Sequence, residues 1–439
     1  MNVRVNYARD ETTPVATDSV VPCVSEILDE NRLLEELARA FPECSFSEPT
    51  NVLDVSYMPR RRLAASFEVA DAGRPQIVAV STEGTGSTRP EHPPNGALRS
   101  LGGWGAAAWR YPADPELPAL PRLSDITAMS GVVRWLTGAP NDVTDCMPLR
   151  YVPAERCVIR AIGPDVDIVA RHSAHQDAQI DHDRLRWLWE HPARAFRMAE
   201  PLGFDDRLKA RFERTVTGRR SDRASILGRS IPLRQLCDEL GGLHALPAVG
   251  VAPALRKLGP GAILGRIERT VIRRLLLAFP RDLDGLTTYL QALRAAAGEL
   301  SVSPDVMLHG DLHAGNLILG EDGPVLVGLD GPTYGDPAFD LALLGSSLFL
   351  AALERKASVT RVATMIEELP WIYTDATGTP VLGDTYAWHL AAALVGWQAD
   401  LALQVLVPRV DVLTATLLDT AVTVLRDGAT ESSMTSFAD

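Results

Sequence analysis

Asp311, Asn316 and Asp330 lie close together in one stretch, VMLHGDLHAGNLILGEDGPVLVGLDGPTYGDPAFDLALL, in which His309 precedes Asp311 by one intervening residue. A carboxylate and a carboxamide spaced as Asp311 and Asn316 are can face one ligand from a single loop, and that pairing suits phosphoryl transfer. A hydroxyl nucleophile needs a carboxylate within hydrogen-bond reach to orient it and take its proton, and the γ-phosphoryl group needs magnesium between its oxygens. NLIL and PVLVGLD are apolar runs joined by GEDG, a hairpin signal. Folding that hairpin returns Asp330 toward the end that carries Asn316, so two hard oxygen ligands converge where a magnesium ion would sit. Next, GDPAFDLA offers Asp336 as a helix N-cap, with Pro337 at the first helical position. Taken alone, H-x-D-x-x-x-x-N also fits a loop with a capping aspartate, and Asp330 fits a turn at a hairpin end. The succession of loop, hairpin, terminal aspartate and capped helix favours the chemical reading.

The surrounding sequence must hold this stretch in place. From Asp181 the pattern is mostly helical (DRLRWLWEH, LRQLCDELGGLHAL, RTVIRRLLLAF, LTTYLQALRAAAGEL) and stays so to about Asp427. The tail GATESSMTSFAD reads as frayed. Before Asp181 come strand-like runs, MPLRYVP, RCVIRAI and VDIVAR, separated by PAER and GPD. An earlier set reads VLDVSYM, LAASFEV and PQIVAVS, after an amphipathic helix over Ser25 to Phe41 with Ser25 as its cap. Residues 1–24 read as a loose arm and Gly84 to Gly105 as loop. YMPRRRL at Tyr57 matches YVPAERC at Tyr151 in Tyr, Pro and Arg, and IVA recurs at Ile77 and Ile168. Either a three-stranded unit is duplicated, or two hairpins share turn chemistry. Duplication predicts that residues 52–81 form an antiparallel unit superimposable on residues 147–171, with Val80 in the place of Arg171.

Composition sets the bounds. The chain has 439 residues, 46% hydrophobic and 23% charged, as soluble globular proteins do. A net charge of -13 argues against nucleic acid or an anionic membrane as the main partner. Five scattered cysteines (Cys23, Cys44, Cys146, Cys157, Cys237) give no disulfide framework, so the expected compartment is the cytoplasm. The first residues lack the apolar core of a signal peptide, and the longest apolar runs are interrupted by Asp340 and Asp400. Three lysines stand against 40 arginines.

Through HGDLHAGN, the LD of VLVGLD and GDPAFDLA, the sequence resembles the aminoglycoside phosphotransferase and choline kinase superfamily, relatives of protein kinases. The resemblance spans roughly residues 147–430 and is specific over His309 to Asp340. It implies an α+β, two-lobed protein-kinase-like fold, here with an extra N-terminal α/β domain. The expected divisions are 1–145 for the extension, 146–218 for a small β-rich lobe and hinge, and 219–439 for a helical lobe. The resemblance makes Asp311 the catalytic base and Asn316 and Asp330 the metal ligands. His309 and Asp340 are structural, with Asp340 bracing the catalytic loop. ERTVTG resembles the hinge where adenine meets backbone groups, which assigns Glu213 and Val216 to the nucleotide. His244, in GGLHALP, resembles the family's helix ending in LHxL; a packed core histidine fits equally.

Two positions depart from the family. Where its third small-lobe strand carries a lysine on the nucleotide phosphates, DIVARHS offers Arg171, a larger planar cation, with Asp183 or Glu190 as its expected carboxylate partner. The loop over the phosphates is Pro153 to Arg156, without a glycine to let backbone amides approach closely, and Arg156 is a second cation for the phosphates. The resemblance implies ATP (or GTP) and Mg²⁺ as cofactors. The expected reaction is phosphorylation of a hydroxyl on a small molecule, such as an aminoglycoside-like or other natural product. The alternatives are a peptide Ser/Thr kinase of natural-product maturation and a catalytically weak pseudokinase that serves as a binding or scaffold module. Expected partners are the nucleotide triphosphate and a hydroxyl-bearing small molecule or peptide, with no nucleic acid and no membrane.

Overall fold

The computed structural model describes residues 18–21, 23–83, 98–138, 142–220, 233–247, 255–280, 283–301, 303–355 and 358–436. Most of the expected arm, and the expected loop up to residue 97, lie outside them. The described residues form two compact units, one within 1–182, 201–215 and 402–410, the other within 183–200, 216–401 and 411–439.

The first unit contains two five-stranded antiparallel sheets of one design. The first comprises β1 (Phe46–Met58), β2 (Arg62–Asp71), β3 (Arg74–Glu83), β4 (Arg99–Leu101) and β5 (Ala106–Arg110), in the order β1-β2-β3-β5-β4. The second comprises β6 (Asp145–Val152), β7 (Arg156–Gly163), β8 (Val166–Ser173), β9 (Pro201–Asp205) and β10 (Ala210–Arg214), in the order β6-β7-β8-β10-β9. Their opening hairpins match pair for pair: Ser56, Tyr57 and Met58 face Ala64, Leu63 and Arg62, as Arg150, Tyr151 and Val152 face Val158, Cys157 and Arg156. Both turns close with the same hydrogen bond, Arg61 N to Met58 O at 3.0 Å and Glu155 N to Val152 O at 3.2 Å. Both hold a left-handed residue at the same place, Arg60 (φ 58°) and Ala154 (φ 61°). Apolar alternation is clean along β8, where Val166, Ile168 and Ala170 are buried. It blurs in β2 and β3, whose central residues are buried on both faces.

One core joins the two sheets. Ala79, Trp109, Leu120, Met129, Tyr151, Ile159 and Phe212 belong to a single buried cluster that includes α3 (Leu120–Leu123) and α4 (Ile126–Thr137). Each large apolar side chain fully buried there contributes roughly 1.5–3 kcal/mol.

Four expectations need correction. The helix expected over Ser25 to Phe41 is two, α1 (Val24–Leu28) and α2 (Glu30–Ala40), because Asp29 breaks the run and caps α2 through the amides of Asn31 and Arg32. The loop expected to continue to Gly105 contains β4. The tail forms a helix over Glu431–Thr435, fixed by a Thr430–Ser433 capping box and buried Met434. Finally, Val80 does not match Arg171. Arg171 pairs with Val158 and Arg211, and the corresponding ladder position, paired with Ala64 and Ala107, is Ser81. Matching the two IVA triplets puts β3 and β8 one residue out of register, enough to exchange faces.

In the second unit, helices surround two short sheets. One has the order β11-β14-β15, from Arg219–Arg220, Leu317–Gly320 and Gly323–Leu326. The other has the order β12-β16-β13, from Lys257–Leu258, Thr333–Gly335 and Val306–Leu308. Among the described residues no helix is long and apolar enough to cross a membrane.

Candidate active site

β13 delivers the chain to His309 and β14 carries it away from Asn316, so the loop between is anchored at both ends. Buried Asp340, in the helix Ala338–Arg355, accepts hydrogen bonds from the amides of His309 (2.7 Å) and Gly310 (2.9 Å). Its other partner is His244 Nε2 at 3.1 Å, and His244 Nδ1 meets the Tyr373 hydroxyl at 2.7 Å. Burial alone would raise the Asp340 pKa, but the His244 hydrogen bond and the loop amides more than offset it and hold the carboxyl below its ordinary range. His309 turns inward, its Nε2 3.1 Å from Val327 O, and Gly310 takes a left-handed φ of 79°. Asp336 Oδ1 accepts from the Ala338 amide at 2.8 Å and opens the same helix; burial pushes its pKa up.

Within this frame Asp311 is exposed while its backbone is held. Asn316 Nδ2 donates to Asp311 O at 2.8 Å and to its Oδ2 at 3.3 Å. His313 Nε2 lies 3.8 Å from the same Oδ2. The β14–β15 hairpin folds as the apolar runs require, bringing the Val327 amide to Asn316 O at 2.9 Å. Gly328 (φ 78°) passes so close that a Cβ there would sit 2.7 Å from Asn316 Oδ1, which explains a glycine just before Leu329 and Asp330. With its Nδ2 donated to Asp311, Asn316 can offer its amide oxygen, and Asp330 follows two residues after Gly328. An amide oxygen and a carboxylate fit a hard cation such as Mg²⁺, which takes few protein ligands and completes its shell with phosphates and water.

The cations expected at the phosphates lie in the first unit. Arg171, on β8, forms an ion pair with Glu213 at 3.1 Å rather than with Asp183 or Glu190; Glu190 pairs with Arg186. Glu213 Oε1 also accepts from Arg211 Nε at 3.0 Å, and Arg211 Nη1 reaches Asp181 of α5 (Ala178–Glu190) at 3.2 Å. Arg171 and Arg211 are direct neighbours across the β8–β10 ladder, so a short polar stripe of two guanidiniums and two carboxylates runs across the sheet and onto α5. The Glu213 side chain is thus engaged inside the unit. Arg156 is exposed at the start of β7, and Val216 lies beyond the last strand of the second sheet. Arg211, Asp181 and Tyr373 escape sequence reading. In Lys209 to Glu213 charged and apolar residues alternate, a pattern that reads Arg211 onto a solvent face and gives no signal of its burial.

Residues 166–363 match the family model described as the phosphotransferase enzyme family. A stretch of 105 residues is 40% identical to a streptomycin 6-kinase from Streptomyces glaucescens, covering 23% of this chain and 32% of that protein. The chain thus spans about a third of the length of that curated relative. Among solved structures, a candidate aminoglycoside phosphotransferase from Ralstonia eutropha is similar with a TM-score of 0.53 at 13% identity, over 69% of this chain and 99% of that one. An aminoglycoside phosphotransferase from Streptomyces rimosus, in complex with ADP and streptomycin, gives 0.42 at 23% identity over 62% and 99%. The architecture is therefore an α+β, kinase-like fold. The match to the phosphotransferase enzyme family over residues 166–363 includes the stretch that carries HGDLHAGN and GDPAFDLA.

Proposed function

We propose that the protein is an ATP- and Mg²⁺-dependent phosphotransferase acting on a hydroxyl of a small molecule. The observation that carries this is the loop from His309 to Asn316. Asp311 is presented exposed on a backbone fixed by Asp340 and Asn316, and the hairpin returns the chain to Gly328, against Asn316 and two residues before Asp330. In this reading the Asp311 carboxylate accepts the acceptor hydroxyl's hydrogen bond, orients its oxygen toward the γ-phosphorus and takes the proton as the new O–P bond forms. The bond to the nucleotide's bridging oxygen breaks and the diphosphate departs. Asn316 and Asp330 would hold magnesium, which spreads the charge of the phosphoryl oxygens when bound. Arg171 supplies phosphate contact from β8, and the segment around Glu213 and Val216 meets the base. The streptomycin 6-kinase relative favours an aminoglycoside-like natural product as acceptor.

The test is an ATP titration with and without Mg²⁺, followed by thermal unfolding, and then turnover on a panel of hydroxyl-bearing compounds. Saturation at a hundred times the dissociation constant should add about 2.7 kcal/mol. Asp311→Asn should cut turnover by about 10²- to 10⁴-fold with ATP affinity unchanged. Wild-type turnover in that variant would remove Asp311 from the mechanism.

A further inference from the structure

The turn between β6 and β7 is where the family's phosphate-covering loop would lie, and the amide of its left-handed residue, Ala154, is already occupied. Asp114 is buried, and its Oδ2 accepts from the Ala154 amide at 2.8 Å and from the Tyr151 hydroxyl at 2.6 Å. Its Oδ1 is turned back to the Glu116 amide at 2.9 Å. The next turn residue, Glu155, is held by Ser56 of β1 and by Arg62 Nη2 of β2 at 2.7 Å, and the Tyr151 hydroxyl takes a further bond from Trp109 Nε1 at 2.8 Å. Ala154 is left-handed without being glycine, a conformation that persists only where neighbours enforce it.

The first sheet has the same device. Asp18 Oδ2 accepts from the Tyr57 hydroxyl and the Arg60 amide, both at 2.7 Å, while its Oδ1 accepts from Val20 N two residues on, at 2.9 Å. Tyr57 and Arg60 are the ladder and turn counterparts of Tyr151 and Ala154. One carboxylate therefore ties a strand tyrosine to a left-handed turn amide twice in the chain. Only the second sheet carries the arginine stripe; Ser81, Ala107 and Trp109 stand where it has Arg171, Arg211 and Glu213.

We propose that Asp114 is a positioning residue for the nucleotide, acting through Tyr151 and Ala154. Its carboxylate oxygen takes the place at the turn amide that a phosphate oxygen takes in a glycine-rich loop. The turn thereby becomes a fixed corner braced by the N-terminal sheet, and the phosphates fall to side chains such as Arg171. This rests on the function proposed above.

The two latches supply their own control. Asp114→Ala removes a buried acceptor and Asp18→Ala a half-buried one, and each should lower the unfolding temperature, the first by more. Only Asp114→Ala should raise KM for ATP, by about tenfold with kcat nearly unchanged, because uniform binding is lost. Asp114→Asn, which retains an acceptor oxygen, should restore most of it. Tyr151→Phe is the milder variant should Asp114→Ala not fold, and it should shift KM in the same direction. If both alanine variants shift KM in proportion to lost stability, or neither does, the latch is scaffold alone and the inference fails. A lower KM in Asp114→Ala would make the carboxylate a competitor of phosphate and would also overturn it. Failure of the wild-type chain to bind ATP·Mg²⁺ would instead remove the function itself, so the two are told apart by the first titration.

Discussion

The two sheets of the first unit share strand order, hairpin register, turn geometry and aspartate latch, yet they differ in what they carry. The first buries Ser81, Ala107 and Trp109 where the second sets Arg171, Arg211 and Glu213. Features present in both are demands of the scaffold first, and one of them, the aspartate latch, is proposed to position the nucleotide only in the sheet that also carries Arg171. Features confined to one are candidates for chemistry, since a sheet of this design folds without them. The comparison thus separates residues that a family resemblance alone lumps together.

Removing the charge stripe should produce the largest effect on this comparison. Arg211→Ala takes from Asp181 and Glu213 a guanidinium whose side chain is only 3% exposed, between carboxylates exposed to 9% and 7%. Breaking such a pair should cost about 3 kcal/mol in urea unfolding. A loss below about 1 kcal/mol, the scale of an exposed pair, would mean the second sheet tolerates an uncharged position as the first does with Ala107.

A smaller effect concerns acid. His172 on β8 occupies the ladder place of Thr82. Burial pushes its pKa down, opposed by its bond to Lys209 O at 3.0 Å and by the charge of Asp114. A histidine kept neutral in the fold must take a proton on unfolding. Its share of stability is therefore complete above the unfolded pKa of about 6.5 and is lost as pH falls toward the depressed folded value. His172→Thr should flatten the pH dependence of stability below about 6.5, by at most about 1.4 kcal/mol per pH unit. His389, held down to about 3 by burial, supplies a slope of the same sign in both proteins, so the difference between them is what reports on His172. Identical slopes would show that His172 titrates as an exposed histidine does.

The smallest effect should be shared by the two copies. Arg60→Gly and Ala154→Gly each relieve a left-handed residue and should stabilise by up to about 1 kcal/mol, offset in part by the freer unfolded chain. Stabilisation in one copy only would show that the two turns differ in strain despite matching geometry.

The fold of the stretch from His309 to Asp330 was legible because its parts are local. Asp311 and Asn316 share a loop, and a two-residue turn at Glu321 and Asp322 returns the chain to Gly328 and Asp330. The repeat was legible in Tyr57 and Tyr151, but its register was not, since the IVA match ignores how hairpin length sets the ladder. The partner of Arg171 was misplaced because proximity in sequence suggested a helix carboxylate, whereas the adjacent strand β10 supplies Glu213. Neither Asp18 nor Asp114 could be singled out, because each acts on a turn some 40 residues away through a single oxygen.

Where Arg171 meets the phosphates as proposed, it also decides how this protein can be detected. Nucleotide reagents that acylate an amine beside the phosphates need an ammonium that can lose its proton, and a guanidinium does not lose one in proteins. The two described lysines lie elsewhere, Lys209 in the turn before β10 and Lys257 bound to Asp305 at 2.5 Å. A proteome labelled in that way would leave β8 unmarked, and an inventory built on marks at that strand would pass over this chain.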